Sequence, residues 1–255
     1  MTSGMVGSAG VRDDLSAALV VIGNEILSGK VTDTNTPFLA RELRCLGVSL
    51  ERVVVIPDDV EQIAADVAAF SRRYDVVFTS GGVGPTHDDI TMDGVAAAFG
   101  RPLVEHGELR RAIESFVGNR VNAAHLKMAQ IPEGAELIVD DKLAFPTVLV
   151  ENVYILPGIP ELFQAKVISL RDRFRTRPYY LRQVLVRDNE TLIAEFLNAT
   201  LTAFPELLLG SYPKLSDPEY RVRLTLESKD EAYVERALAD LVGRLPSGCV
   251  FRVEH

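Results

Sequence analysis

Cysteine is scarce in this 255-residue chain: Cys45 and Cys249 are the two, and they have no spacing that makes a metal-ligand pair. The simplest reading is a reduced chain in the cytoplasm, with both thiols used as packing residues. Basic residues are also in the minority, 27 against 36 acidic, for a formal net charge of −9. An extended nucleic-acid surface needs a basic face to neutralise phosphates, so that partner is excluded, although a local basic pocket is not. No apolar run approaches the roughly 20 residues that span a bilayer, which excludes a membrane role. Residues 1–14 have neither the basic start nor the apolar centre of a signal peptide and are expected to form a flexible leader. What the chain does have is 47% hydrophobic and 25% charged residues, ordinary globular material.

From Ala17 the chain alternates between short apolar runs and amphipathic helices. Ala17 to Ile22 is continuous and apolar, as expected of a strand buried on both faces of a parallel sheet. Thr36-Pro37 opens a helix with Phe38, Leu39, Leu43 and Leu46 as its inner stripe, and Gly47 stops it. Arg52 to Ile56 reads as a second strand. Asp58 or Asp59 caps the next helix, whose face is Ile63, Val67 and Phe70. Asp75 to Thr79 is a third strand, and Thr91 is expected to cap a helix over Met92 to Phe99. This order implies a parallel sheet covered on both faces, with ligands at the carboxyl ends of its strands. Four loops leave those ends: residues 23–35, 57–59, 81–89, and 157–161 after the apolar strand Val153 to Leu156.

A basic, proline-closed stretch from Arg171 to Pro178 marks a change of pattern. Beyond it come strand Leu181 to Val186, helix Glu190 to Phe204, strands Leu207 to Tyr212 and Tyr220 to Leu226, helix Glu231 to Leu245 and strand Val250 to Val253. That β-α-β-β-α-β order is the ferredoxin-like split unit. The expected fold class is therefore α/β: a three-layer parallel-sheet domain over residues 15–175, then a small α+β ferredoxin-like domain over 176–255.

The most informative string is Thr79-Ser80-Gly81-Gly82-Val83-Gly84-Pro85-Thr86-His87-Asp88-Asp89-Ile90-Thr91. A strand ending in three glycines lets backbone N–H groups turn toward one point, an anion cradle without side-chain obstruction, and Thr86 adds a hydroxyl. Asp88 and Asp89 would repel a bare phosphate. The pattern thus asks for a bridging divalent cation or a neutral, donor-rich ligand; the plain alternative is a tight strand-to-helix turn with Asp caps.

This string resembles the GGTG…D signature of the molybdopterin-binding domain found in molybdenum-cofactor biosynthesis proteins. Gly23-Asn24-Glu25-Ile26-Leu27-Ser28-Gly29, Asp33-Thr34-Asn35-Thr36, Pro57-Asp58-Asp59 and Leu156-Pro157-Gly158-Ile159-Pro160-Glu161-Leu162 agree with it. Together they are similar to one subgroup, the front domain of competence/damage-inducible protein A and the molybdopterin-binding-like domain of FAD synthase. Phe145-Pro146, Val150-Glu151-Asn152-Val153-Tyr154 and His87 favour the FAD synthase type. Val83 stands where the signature has threonine, and Asp88-Asp89 where Arg-Asp is usual; both turn the reading away from adenylylation of molybdopterin. The sequence reaches His255 without the deamidase or adenylyltransferase domain of those groups, so the chemistry is expected of the first domain.

The resemblance implies a divalent-metal-dependent pyrophosphohydrolase of FAD or ADP-ribose-like substrates, with magnesium, manganese or cobalt as the cation. The alternatives are a molybdopterin adenylyltransferase and a non-catalytic module with molybdopterin or a nucleotide as ligand. Asp58 and Asp89 match the family's acidic positions and are given metal binding or water activation, with Asp88 as an extra ligand. Gly81, Gly82, Gly84 and Thr86 are expected to hold phosphate, and Asn24, Glu25, Asn35, Gly158 and Pro160 to contact substrate. His87 reads equally as an acid/base or as a loop cap, and Lys127 as a phosphate contact or a solvated helical lysine. A small-molecule nucleotide or pterin and a homo-oligomer, dimer or trimer, are the expected partners.

Overall fold

The computed structural model describes residues 14–214 and 219–254. All but the last residue of the expected leader lies outside the described residues. By contact, the chain divides into one unit ending at Thr176 and a second beginning at Arg177.

The first unit is built around strand β1 (Ser16–Ile22), whose residues from Ala17 onward are all buried. Short helix α1 (Asn24–Leu27) follows it, then α2 (Asn35–Cys45), β2 (Ser49–Ile56), α3 (Val60–Arg73), β3 (Val76–Ser80) and α4 (Thr91–Ala98). Next come β4 (Leu103–Glu105), α5 (Gly107–Val117), α6 (Ala123–Lys127) and β5 (Gln130–Pro132). Strands β6 (Glu136–Ile138), β7 (Thr147–Val150) and β8 (Val153–Leu156) and helix α7 (Pro160–Phe174) complete the unit. The main sheet runs β2-β1-β3-β8-β7-β6. Its first four strands are parallel, whereas β7 and β6 pair antiparallel. The parallel core expected from sequence thus carries an antiparallel extension, because β7 and β8 are joined by a turn too short for a crossover.

The period-two geometry of a strand sorts β1 between two cores. Ala17, Leu19 and Val21 face Leu39 and Leu43 of α2 and Phe163, Val167 and Phe174 of α7. Ala18, Val20 and Ile22 face Ile63 and Val67 of α3, Val95 of α4 and Ile113 of α5. Both faces of the sheet are therefore covered, which makes three layers. Phe78 on β3 has no exposed surface and packs on the rings of Tyr154 and Phe174, with centroids 5.6 and 5.3 Å away. Burial of a side chain of this size contributes about 1.5–3 kcal/mol. Thr176 ends the unit by donating its amide to Leu46 O at 2.8 Å and its hydroxyl to Gly47 O at 2.7 Å.

One helix start agrees with expectation and one differs. Of the two candidates Asp59 caps α3, its carboxylate accepting from the Gln62 amide at 2.8 Å. Thr91 is not the cap of α4; Ile90 holds that position, and the Thr91 hydroxyl donates to Gly81 O at 2.8 Å.

The second unit comprises β9 (Tyr180–Val186), α8 (Glu190–Ala203), β10 (Leu208–Pro213), β11 (Val222–Ser228), α9 (Glu231–Arg244) and β12 (Val250–Glu254). Its sheet, β10-β11-β9-β12, is antiparallel throughout, the ferredoxin-like arrangement. Val184, Leu224 and Leu226 meet Ile193 of α8 and Val234 and Leu241 of α9 in a core of their own. Among the described residues, no helix is long and apolar enough to cross a membrane.

Candidate functional site

Strand β3 delivers the chain into the glycine loop, and the loop's shape depends on glycine. Gly81 has φ +109° and Gly82 φ +63°. A Cβ on Gly81 would lie 2.2 Å from Ile22 O, and one on Gly82 2.4 Å from Thr91 Oγ1. Neither position tolerates a side chain without movement of its neighbours. The Gly81 amide donates to Leu156 O at 3.2 Å, so Gly81 shapes the turn and gives nothing to an anion. Among the described residues, the amides of Gly82, Val83 and Gly84 have no acceptor in the fold. These are the cradle's donors. Thr91, through its amide to Gly82 O at 2.9 Å and its hydroxyl to Gly81 O, fixes the loop to the start of α4.

The second half of the loop is closed on itself. Asp89 Oδ2 accepts from the Thr86 amide at 2.8 Å and lies within reach of the Thr86 hydroxyl, which also meets Asp88 Oδ1. The Thr86 hydroxyl therefore closes the loop, and its expected contact with phosphate gives way to that role. This hydrogen bond holds the exposed Asp88 carboxyl below the usual carboxylate range. Lys127 reaches across from α6 and donates to Thr86 O at 2.9 Å and Asp89 O at 2.8 Å. It is thus tied to the loop, which it staples through its carbonyls. With Thr86 and Asp89 bonded to each other across the loop, residues 87 and 88 form the tip. The His87 side chain is 98% exposed, with Asp88 at 3.9 Å, so it neither caps the loop nor faces a cavity.

The remaining candidates come from three other loops. Asn35, at the start of α2, is buried, and its Nδ2 donates to Ser80 Oγ and to Gly158 O, both at 2.9 Å. One side chain thus ties together the ends of β3 and β8. Its Oδ1 is buried and has no partner among the described residues. Asn35, Glu25, Ser80 and Gly158 line a small cavity of about 60 Å³. Asp58 Oδ2 accepts from the Asn24 amide at 2.9 Å and so holds the start of α1.

A larger cleft, about 670 Å³, gathers Gly81, Gly82, Gly84, Asp89, Glu25, Gly158 and Pro160. Its other walls are apolar, among them Met92, Ile113, Phe145, Pro146 and Ile159. Thr86, His87, Asp88, Lys127, Asn24 and Asp58 are not part of that lining. The shared pocket edge expected for Asp58 and Asp89 is thus not formed by lining residues, because Asp58 is turned onto the Asn24 amide. No group of three or more His, Cys, Asp or Glu placed to hold a metal occurs among the described residues. The pair of carboxylates that shares the cleft is Glu25 and Asp89.

Sequence reading missed Lys166. It lies three residues after Phe163, on the stripe of α7 that buries Phe163, Val167 and Leu170, and it lines the cleft. A lysine at that spacing was the available signal. Its Nζ donates to Phe145 O at 2.9 Å and Pro146 O at 2.8 Å. Burial pushes the amine down to about 8.

Comparison with known proteins agrees with both halves. The family described as "Probable molybdopterin binding domain" matches residues 18–176, and "FAD synthase, middle domain" matches 178–254. A protein of Archaeoglobus fulgidus is 36% identical over 220 residues, 86% of this chain and 93% of the relative. The probable FAD synthase of Caenorhabditis briggsae is 33% identical over 270 residues, 94% of this chain but 51% of the relative, so the chain spans about half of that protein. Among solved structures, the protein CinA with unknown function from Thermoplasma acidophilum superposes with a TM-score of 0.59 at 30% identity. The match covers 63% of this chain and 98% of the other.

Proposed function

The chain belongs to the molybdopterin-binding domain family, and from that premise we propose that its first unit hydrolyses the pyrophosphate bond of a dinucleotide-like substrate such as FAD or ADP-ribose. The observation that carries the reading is one cleft combining the Gly82–Gly84 amides, the carboxylates of Glu25 and Asp89, and broad apolar walls. Backbone donors suit phosphate oxygens, and apolar walls suit the rings at either end of a dinucleotide.

The donor set fits a divalent cation of the magnesium kind. Such ions take one or two protein carboxylates and complete their shell with substrate phosphates and water, so a cage of three is not needed. Glu25 and Asp89 are the residues that would hold it. When bound, the cation would neutralise bridging oxygens and lower the pKa of a water. The protein's own part is positional. The loop is pre-closed by Thr86, Asp89 and Lys127, so its donors are set before the ligand arrives. Asn35 Oδ1, buried beside the cleft, offers an acceptor to a ligand hydroxyl or to water.

The test is direct. The purified chain is incubated with FAD or ADP-ribose and with magnesium, manganese or cobalt, and AMP is followed with time. AMP release that requires a metal and stops on chelation is the expected result. Tight binding without AMP under every metal would overturn hydrolysis and leave a nucleotide-binding module.

A further inference from the structure

We infer that Lys166 is a positioning residue whose ammonium pins residues 145–147 to α7 and so builds the wall against which a flavin-type tricyclic ring is seated. The inference rests on the dinucleotide reading above and adds to it the location and the keeper of the ring subsite.

The lysine addresses its own chain. Its three N–H groups face the Phe145 and Pro146 carbonyls at 2.9 and 2.8 Å and the Thr147 hydroxyl at 3.4 Å. Acceptors and donors are thus matched in number, and the side chain has no donor left over for a ligand. What it holds is the end of a connection that Phe145 also ties to the core. Residues 139–146 connect β6 to β7 without regular structure of their own apart from turns. Phe145 and Pro146 from this connection, with Val148 from β7, line the same cleft as the glycine loop.

The wall so formed has the character of a ring seat. Phe145 packs edge-on against Phe116, with centroids 5.2 Å apart. Met92 and Met128, whose thioethers adapt to flat aromatic faces, line the same space. The lowered affinity of the Lys166 amine for its proton, caused by burial, agrees with a group that has left water to serve the wall. A cleft of about 670 Å³ has room for the ring beside its phosphates.

FAD and ADP-ribose share the ADP half and differ in the tricyclic ring, so the pair isolates the subsite. Dissociation constants for both are measured by calorimetry on wild type and on Lys166→Met and Lys166→Gln, with amide exchange followed across residues 139–148. Lys166→Gln keeps a polar group in place if Lys166→Met fails to fold. The expected result is at least a tenfold loss of FAD affinity, with ADP-ribose changed less than threefold, and faster exchange in 139–148. Equal changes for both ligands, or no change, would overturn the ring seat. If wild type binds neither ligand, the dinucleotide reading falls and the ring seat with it. The clamp is then judged by exchange alone, and unaltered exchange at 139–148 in both variants refutes it.

Discussion

Asn35 Nδ2 donates to Gly158 O at 2.9 Å, joining positions 123 residues apart. The same nitrogen donates to Ser80 Oγ at the end of β3. Asn35→Asp removes both donors while keeping the shape, and it sets a carboxylate against the Gly158 carbonyl. The expected loss is about 1–3 kcal/mol, the cost of leaving buried polar groups badly paired. The midpoint of urea unfolding measures it. A midpoint equal to wild type would show that the amide does not join these loops.

The sheet-forming half of the fold was legible because its code is local. Continuous apolar runs such as Ala17 to Ile22 and stripes such as Ile63 and Val67 announce buried strands and amphipathic helices by period alone. The glycine string was legible for a similar reason, since only glycine takes the φ values of Gly81 and Gly82 without strain. Hydrogen-bond direction was not legible. Nothing local tells that Thr86 bonds to Asp89, that Lys127 bonds to carbonyls, or that Asp58 turns to the Asn24 amide. Residues 101–152 resisted for another reason. Their strands β4, β5 and β6 are three residues long, too short for a period to register.

The two positive-φ glycines are expected to differ. Gly81→Ala places a Cβ 2.2 Å from Ile22 O at the end of β1, at a φ outside the left-handed helical basin. Gly82→Ala sits inside that basin and meets the Thr91 hydroxyl, a side-chain atom that can give way at the cost of its bond to Gly81 O. Backbone strain of this kind costs about 1–3 kcal/mol, and the rigid neighbour adds to it only at Gly81. Thermal unfolding of both variants should rank Gly81→Ala as clearly the less stable. The reverse order would contradict this account of the turn.

Lys166 should leave a mark on the pH dependence of stability. Its folded pKa of about 8 lies below the ordinary 10.5. Between these values the unfolded chain binds the proton more strongly, so stability rises with pH across that window. Below about pH 8 the cost of burying the ammonium is present in full; above the ordinary value it is gone. The span is on the order of 2–3 kcal/mol after allowance for partial solvent access. Other groups titrate in the same range, so the measurement is the difference between wild type and Lys166→Met from pH 7 to 10.5. A constant difference would show that the amine keeps its ordinary proton affinity.

Phe78 carries the packing under the glycine loop. It is fully buried between Tyr154 and Phe174 and ends two residues before Ser80. Phe78→Ala is expected to cost about 3–5 kcal/mol in denaturant unfolding, since the ring neighbours on β8 and α7 collapse poorly into the space. A loss below about 1 kcal/mol would mean that the site repacks.

The sharpest test of the proposed chemistry is Asp89→Asn. Asp89 has two separable roles in this structure. Its Oδ2 closes the loop by accepting from the Thr86 amide, and its charge lines the cleft that Glu25 also lines. Asparagine keeps an oxygen that accepts from the Thr86 amide, so the loop should stay closed and the unfolding midpoint should move by less than about 1 kcal/mol. What asparagine lacks is the negative charge, and hard divalent cations prefer charged oxygen ligands. Helix capping does not complicate the comparison, because Ile90 rather than Asp89 holds the cap position of α4. If the carboxylate holds the cation against a pyrophosphate, AMP release from FAD or ADP-ribose should fall by about a hundredfold or more. Affinity for the nucleotide measured without metal should hold or rise, since the Gly82–Gly84 amides remain and a carboxylate that repels bare phosphate is gone. Raising the metal concentration should recover part of the rate. A variant that is as stable and as active as wild type would remove Asp89 from the chemistry and leave it only its place in the loop.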